Sequence, residues 1–524
     1  MENQIATDVH IPTWSRPQGK PTKLVKEVIA NFLDTTTTSF GRATHYNTRE
    51  EQQKAELSAH RAMLNLDRDL YTLFSILPGT TDRSSQLATK NLLSNPRNGY
   101  NGILTNELEA KAIYQLVQEL PAQRMFKIFA AFRHGEKAQG ITKANNARTR
   151  KLILRTILGS EQLELWSIKY RSKMVESLTH AWGESKTGII KAILKKVDWT
   201  AQDQSIITNN LSKYAHKKKT ALESVAFVLR VNKKWNSPLF KAFGEAKENL
   251  AAGKPLPIEV LEGIRSTYHK CVPSSKVIEL KKDSLTRTQK KNLQATAEKA
   301  NVTIEFNPMD YNPVELYLYG FKRGFSNEIL TALKHKAIQA AKSFPTKFKS
   351  IGILLDGSES MRGSQTQPLR PLASILAIRD MLSHTSSTFF EAHATQANTN
   401  TEIKPCGHTE LAPQLLKLLQ ENVESIFVLS DGYENTPAGR FGEVLEAARA
   451  VGINTPVYHI NPVFAAEVGG VRELAPKHAT TLPVQKPNAL ATMFIRGMLE
   501  QDPIVTINQM IQITYPNLLL GKGN

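Results

Sequence analysis

The feature that most constrains this chain is an alternation of short apolar runs with helical stretches in its last third. The apolar runs, which are typical of strands, lie at about 349–355, 388–393, 424–430 and 455–460. The helical stretches between them lie at about 368–383, 410–420 and 439–451. Strands that alternate with helices form a mostly parallel sheet covered by helices. We therefore expect residues 346–524 to fold as a doubly wound, Rossmann-like α/β domain.

The first of these strands leads into a loop whose side chains are suited to a metal ion. The strand ends at Leu355, and the loop continues as Asp356-Gly-Ser358-Glu-Ser360. Mg²⁺ prefers oxygen ligands and keeps several waters, so one or two carboxylates with hydroxyls suffice to hold it. Alternating residues of a tight loop can direct one carboxylate and two hydroxyls at one point.

Two further oxygen donors follow at the ends of other elements. Thr409 precedes a helix, and Asp431 follows the strand at 424–430. Ligands of open α/β sheets bind at the carboxyl ends of the strands, where Asp356 and Asp431 are both expected. We predict a divalent metal site, with Mg²⁺ as its cofactor, formed by Asp356, Ser358, Ser360, Thr409 and Asp431. The competing interpretation is that these residues serve only in turns and helix caps, which Ser, Thr and Asp favour.

This set of donors resembles the metal-ion-dependent adhesion site of the von Willebrand factor A domain. That site takes Asp-x-Ser-x-Ser from its first loop, a Thr from a second loop and an Asp from a third. The resemblance implies that the metal keeps one open position, which an Asp or Glu of a protein partner fills.

Net charge divides the chain into two unlike parts. Residues 351–524 contain 12 Lys and Arg and 16 Asp and Glu, a net charge of −4, within a chain of net charge +19. Residues 1–350 therefore have a net charge of +23. Such an asymmetry indicates a polyanionic partner or an anionic membrane surface for the basic part. The alternative is a basic domain without such a ligand.

The basic part of the chain is predicted to be helical. After a tail at 1–20, residues 21–345 show helix after helix, with a capping-box pattern at Thr48 and Glu51. Helices of similar length joined by short turns favour a HEAT-like ring or solenoid of stacked helix pairs. Two short runs, 276–280 and 302–306, are candidate strands in this region.

A basic helical array followed by an A-like domain resembles the Ro autoantigen family, whose TROVE module is a ring of helical repeats. The similarity lies at the junction from Ala337 to Met361, and in the stretch from Tyr170 through Trp182 to Trp199 and Asp203. The chain resembles a divergent member, because Asp34–Gly41 replaces a glycine-rich segment and Asn209 replaces a histidine. The resemblance implies binding of small structured noncoding or misfolded RNA.

Basic residues that could line a phosphate track occur in four clusters of the helical region. Cations neutralise phosphates best when they converge in space, which stacked helices allow. The candidate RNA-binding residues are Arg133, Lys137, Lys143, Arg148, Arg150, Lys151, Lys169, Arg171, Lys173, Lys195, Lys196, Lys217, Lys218 and Lys219. Candidates for base stacking are Phe132, Trp166, Tyr170, Trp182 and Tyr214. Each feature taken alone is more typical of a solvated face or of a packed core.

The sequence offers little support for catalysis or for a membrane location. A phosphate-binding loop is lacking, since the glycines at 183 and 188 are followed by Ile189 rather than lysine. Asp356 and Asp431 could in principle activate water on a metal, but two carboxylates with three hydroxyls more often serve in docking. The two cysteines, the polar N-terminus and the lack of a long apolar run lead us to expect a non-membrane, cytoplasmic protein. We expect a monomer that is not an enzyme.

Two functions follow from these features. The first is an RNA-binding ribonucleoprotein component whose A-like domain docks an acidic protein partner through the metal. The alternative is a protein-assembly module in which that domain recruits a partner such as an AAA+ ATPase and the helices act as a scaffold.

Overall fold

The computed structural model describes residues 11–16, 22–95, 97, 102–135, 143–232, 234–342, 344, 347–395, 404–435 and 437–520. The chain forms two compact units. The α/β unit comprises residues 1–88, 97–116 and 308–524, and the helical unit comprises 89–96 and 117–307. The boundary that the sequence suggests near residue 345 lies inside the α/β unit, between a helix that ends at Lys342 and a strand that begins at Phe348.

The secondary-structure elements are as follows. The α-helices, in chain order, are α1 (Thr22–Thr38), α2 (Arg49–Leu66), α3 (Arg68–Ser75), α4 (Asp82–Ser94), α5 (Asn106–Gln118), α6 (Ala122–His134), α7 (Ala147–Leu158), α8 (Leu163–Lys169), α9 (Arg171–Trp182), α10 (Glu184–Lys195), α11 (Ala201–Asn210), α12 (Lys218–Val228), α13 (Pro238–Glu245), α14 (Ile258–Tyr268), α15 (Ser274–Lys281), α16 (Arg287–Lys299), α17 (Pro313–Arg323), α18 (Asn327–Lys342), α19 (Arg370–Ser383), α20 (Ala412–Gln420), α21 (Arg440–Ala450), α22 (Leu490–Gly497) and α23 (Pro503–Leu520). The strands are β1 (Phe348–Leu355), β2 (Gly363–Ser364), β3 (Gln367–Pro368), β4 (Ser386–His393), β5 (Ser425–Leu429), β6 (Val457–Asn461), β7 (Phe464–Ala465), β8 (Gly470–Val471) and β9 (Thr480–Pro483).

The α/β unit contains a five-stranded parallel sheet with the strand order β4-β1-β5-β6-β9. The four strands expected from the sequence are present, and the structure adds β9. Register is fixed by pairs such as Leu355 with Leu429, which place the carboxyl ends of β1 and β5 side by side. The chain leaves β1 toward β4 on one side and returns to β5 on the other, so these two ends flank the point where the winding direction changes. This is where open α/β sheets bind their ligands.

Both faces of this sheet are covered. On one face, Leu354, Ile426 and Val428 pack in one buried cluster with Leu415 of α20 and Leu445 of α21. Phe427 points the other way, as alternation along a strand requires, and its ring lies 6.4 Å from that of Phe494 in α22. The α/β prediction is therefore confirmed as a parallel sheet between helices.

Within the α/β unit, a buried ion pair joins helix α1 to helix α22. Asp34 accepts two hydrogen bonds from Arg496 of α22, at 3.0 and 2.9 Å, and both side chains are buried. The next four residues, Thr35 to Thr38, are also buried, and their hydroxyls donate to carbonyls one turn earlier. Gln485, which follows β9, donates to the carbonyl of Thr38 at 2.6 Å. These contacts hold the C-terminal end of α1 in place, and with it the start of the segment that follows.

The described part of the helical unit, within 89–95, 117–135, 143–232 and 234–307, has helices and no β-strand. The strand suggested at 276–280 is wrong, because this run belongs to α15 and buries Val277 and Ile278 on one helical face. The strand suggested at 302–306 is also wrong, since this segment forms neither a strand nor a helix. Ile304 still packs into the core of the unit. In the α/β unit, the capping box of Thr48 and Glu51 is present at the start of α2.

Candidate metal centre and basic surface

The loop after β1 brings its three oxygen donors into a buried position. Asp356, Ser358 and Ser360 are each at most 4 % exposed. Asp356 Oδ1 accepts a hydrogen bond from the backbone N–H of Ser358 at 2.9 Å, which curls the loop around the carboxylate. The hydroxyls of Ser358 and Ser360 lie 3.1 Å apart. The alternation of the motif therefore places one carboxylate and two hydroxyls on the inner side of one tight loop.

The loop after β5 supplies the second carboxylate. Asp431 is 2 % exposed, and its Oδ1 accepts from the backbone N–H of Tyr433 at 3.2 Å. The Ser360 hydroxyl lies near enough to the Asp431 carboxylate to lower the pKa of that carboxyl, which relates the two loops. The neighbouring Ser430 donates to Asp356 Oδ2 at 2.6 Å. Adjacent parallel strands thus bring both carboxylates to one edge of the sheet.

The electrostatics of this pair favour a bound cation. Burial raises the pKa of Asp356, with hydrogen bonds from Ser430 and Ser358 acting in the opposite direction. Burial, and then the neighbouring charge of Asp356, raises the pKa of Asp431 to about 7. Two carboxylates that are desolvated together destabilise each other's ionised form. A divalent cation between them would remove that penalty.

Thr409 supplies an independent sign that the donor set fits a metal. It is fully buried two residues before the cap of α20, and its hydroxyl has no hydrogen-bond partner in the described part of the chain. A buried hydroxyl without a partner is costly unless something else binds it. Two carboxylates and three hydroxyls form the all-oxygen set that suits Mg²⁺. Among the described residues, no group of three or more His, Cys, Asp and Glu side chains is suited to a metal.

A supporting layer behind the donors was not foreseen from the sequence. His459 Nε2 lies 3.1 Å from the carbonyl oxygen of Ser430, and Asn461 donates to the carbonyl of Asp431 at 2.9 Å. Both residues belong to β6, which pairs with β5. Burial lowers the pKa of His459 to about 4, so its ring is neutral. The sequence signal that could have indicated this layer was the presence of polar residues at alternate positions of the buried strand Val457–Asn461.

An aromatic stack lies beside Asp431. The ring centroids of Tyr46 and Tyr433 are 3.9 Å apart, and the Arg472 guanidinium lies 4.1 Å from the Tyr433 ring. Arg472 also forms an ion pair with Glu467 at 2.8 Å. Tyr46 comes from the segment that follows α1, so residues more than 300 positions apart meet at the candidate metal site.

The predicted RNA-binding residues lie in the helical unit, and about half of them are exposed cations that form no ion pair with another described residue. They are Lys143, Lys151, Lys173, Lys195, Lys217, Lys218 and Lys219. The last three form the start of α12, which packs on α8, α9 and α10. Lys137 lies outside the described residues.

Other predicted RNA-binding residues are engaged within the protein. Lys169 pairs with Glu259 at 2.8 Å, and Lys196 pairs with Asp203 at 2.8 Å. The Arg171 guanidinium lies 4.4 Å from the Phe227 ring, and burial lowers its pKa. These three side chains hold helices together, so they are less available to phosphates than the sequence suggests.

The structure does bring some of these cations together. Burial lowers the pKa of His180, and a hydrogen bond with the Ala144 carbonyl opposes this shift. The charges of Arg133 and Arg150 both lower this pKa further. Arg133 ends α6, Arg150 lies in the first turn of α7, and His180 lies in α9. Packing of α6 and α7 on α9 therefore brings Arg133 and Arg150, which belong to one cluster in the sequence, to one basic surface.

The proposed stacking residues are mostly part of the core. Phe132 and Trp182 are buried. Trp166 and Tyr170 are partly buried and pack on Phe126, with ring centroids 6.0 and 5.3 Å away. Tyr214 is also partly buried, and the Lys213 ammonium lies 4.9 Å from its ring.

The whole net charge of the chain belongs to the helical unit. This unit contains 36 Lys and Arg against 17 Asp and Glu, a net charge of +19. The α/β unit contains 31 residues of each sign and is neutral.

Comparisons with known proteins do not assign a family. No protein-family model matches the chain, and no curated protein sequence matches it. Among the helices of the described residues, none combines the length and the apolar character that crossing a membrane requires.

Proposed function

We propose that the protein binds RNA through the exposed cations of its helical unit and docks an acidic protein partner through a metal in its α/β unit. The observation that carries this proposal is the separation of charge. A net charge of +19 lies on one unit, while two buried carboxylates lie in the other unit, which is neutral as a whole. RNA and a protein partner that binds through a metal would therefore use different parts of the chain.

The RNA-binding half rests on the exposed lysines at the start of α12 and on the surface formed by α6, α7 and α9. Phosphate contacts of this kind provide affinity without reading sequence. With few accessible aromatic residues, recognition by shape and backbone is favoured over stacking of many unpaired bases. Small structured noncoding RNA and misfolded RNA are the ligands that the similarity to the Ro family suggests.

The docking half rests on the donor set of Asp356, Ser358, Ser360, Thr409 and Asp431. Mg²⁺ bound there would supply a Lewis-acidic position open to a carboxylate oxygen. The loop after β1 would orient the donors, and β6 would hold the second loop through Asn461. This arrangement is the one that the similarity to the von Willebrand factor A domain suggests, with a HEAT-like ring as the helical unit. We propose that the protein is a cytoplasmic monomer and that it is not an enzyme.

Fluorescence anisotropy with a labelled RNA hairpin tests the RNA-binding half. If about six phosphates are engaged, the logarithm of the association constant should fall against log salt with a slope of roughly −4 to −5. Changing Lys217, Lys218 and Lys219 to Glu should weaken binding and flatten that slope. A matched control changes three exposed lysines of the α/β unit, Lys322, Lys417 and Lys477, to Glu. Equal losses in both variants, or binding that salt does not affect, would contradict the proposal.

The protein-assembly alternative has one specific observation in its favour. Lys169, Arg171 and Lys196 make contacts inside the helical unit, which shortens any phosphate track. In this alternative, a partner such as an AAA+ ATPase binds at the metal and the helices are a scaffold. Asp356→Ala would then abolish the cellular function, whereas in the RNA-binding proposal it removes only the partner and leaves RNA binding intact.

A further inference from the structure

A small cavity adjoins the candidate metal site within the α/β unit. Its volume is about 50 Å³, and its wall includes Ser360 and Asp431 on one side and Arg42 and Arg370 on another. At roughly 10–15 Å³ for each water, this space holds a few waters or one acidic group. The segment after α1 forms much of the wall, including Ser39 and Thr44.

Arg370 is the unusual residue of this cavity. It is the first residue of α19, and its guanidinium lies 4.7 Å from the Phe40 ring. Its Nε is buried without a hydrogen-bond partner, and no ion pair holds the side chain among the described residues. Burial, and then the charge of Arg42, lowers the pKa of Arg370, yet an arginine keeps its charge at neutral pH.

The carboxylate of Glu315 acts on Arg370 through its charge without forming an ion pair with it. Glu315 opposes the lowering of the Arg370 pKa through its charge. Its carboxylate, however, belongs to the capping box of α17, where it accepts from the Asn312 side chain at 2.7 Å. Arg370 therefore remains a partly buried cation whose Nε donor is unused.

A partly buried cation with an unpaired donor is stabilised when an anion binds it. The guanidinium fork matches a carboxylate in two parallel hydrogen bonds. The position of Arg370 at the start of α19 adds the positive end of a helix dipole. A singly charged carboxylate suits the site better than a doubly charged phosphate, because Asp431 also lies on the cavity wall and would repel the second charge.

We propose that Arg370, with Arg42 at the exposed edge, forms a carboxylate subsite beside the metal. It binds a second acidic side chain of the protein partner whose first carboxylate ligates the metal. The partner's docking segment is thus an acidic peptide with two carboxylates. This inference rests on the proposed docking function, although the subsite itself requires only Arg370 and the cavity.

Thermal-shift titrations of the full chain test the subsite at constant ionic strength. Acetate probes the Arg370 subsite alone, and glutarate with Mg²⁺ probes the subsite and the metal together. Acetate should give a saturable stabilisation of the wild type and of Asp356→Ala. Arg370→Gln should weaken this effect about tenfold, because a charge-assisted pair is lost. Arg42→Gln, a change at an exposed residue, should weaken it less, and Arg370→Lys should restore only part of it.

The matched control is Arg440→Gln, since Arg440 is an exposed arginine at the first residue of α21. It should behave as the wild type. Acetate stabilisation that is equal in wild type and Arg370→Gln, or absent from the wild type, would overturn the subsite. If acetate binds as expected but Mg²⁺ adds nothing to glutarate, the subsite stands and the metal-docking proposal fails. Stronger binding of inorganic phosphate than of acetate would overturn the assignment to a carboxylate.

Discussion

Changing Asp34 to Ala should severely destabilise the α/β unit. The carboxylate and the Arg496 guanidinium are 5 % and 6 % exposed and share two hydrogen bonds, at 3.0 and 2.9 Å. Arg496 would retain only its bond to the Thr481 carbonyl, at 3.2 Å. Removing one partner of a buried ion pair costs about 3–5 kcal/mol, because the other charge stays buried. We expect a loss of this size in the free energy of unfolding.

Urea unfolding followed by hydrogen exchange is a suitable assay, because peptides from α1 report on this unit rather than on the helical unit. Burial raises the pKa of Asp34 to about 6, so the measurement belongs well above that pH, where the carboxylate is ionised. The control is the double variant Asp34→Leu with Arg496→Met, which removes both charges and should recover most of the loss. A loss below about 1 kcal/mol, or a double variant as unstable as Asp34→Ala, would refute this reasoning.

Three further predictions concern the metal site and α2. Mg²⁺ at a hundred times its dissociation constant should stabilise the wild type by about 2.7 kcal/mol in thermal unfolding, and should not stabilise Asp356→Ala; equal shifts would exclude this site. Because burial, and then the charge of Asp356, raise the pKa of Asp431 from 3.8 to about 7, the Asp431 carboxyl should contribute its stabilisation to the metal-free protein fully below about pH 4, and this contribution should be lost as the pH rises from 4 through 7. Asp431→Asn should remove most of that loss, and an unchanged pH profile would contradict the assignment. Thr48→Ala should cost about 1 kcal/mol in urea unfolding, since it removes a capping box; a neutral change would show that the cap contributes little.

The sheet and the loop after β1 could be predicted because their signals are local. An apolar run such as Ile351–Leu355 followed by Asp356 specifies a strand end, whatever the rest of the chain does. Asp431 could be placed beside Asp356 because parallel strands share their carboxyl edge.

The cavity and the subsite could not be predicted, because they depend on contacts between distant parts of the chain. Nothing near Phe40 or Tyr46 indicates that this segment meets Arg370 or Tyr433. The four threonines at the end of α1 are poor helix formers by propensity, and tertiary burial decides their conformation. The sequence also could not show which lysines remain exposed, since Lys169 and Lys196 find acidic partners only in the folded unit.

The run at 276–280 shows the limit of short apolar patterns. Val277 and Ile278 suit a strand, yet their adjacent side chains pack into the core formed with α14, and helix α15 satisfies their backbone groups. A run of five residues is too short to distinguish the periodicity of a strand from that of a helix.

The central claim is that the helical unit binds RNA, and crosslinking in the native cells tests it most directly. RNA recovered with the wild type, with Asp356→Ala and with the variant in which Lys217, Lys218 and Lys219 become Glu would be sequenced. We predict that the wild type and Asp356→Ala recover the same few small structured RNAs, and that the lysine variant loses them. Recovery of no RNA above background with the wild type would contradict the claim and leave the helical unit as a scaffold for the partner bound at the metal.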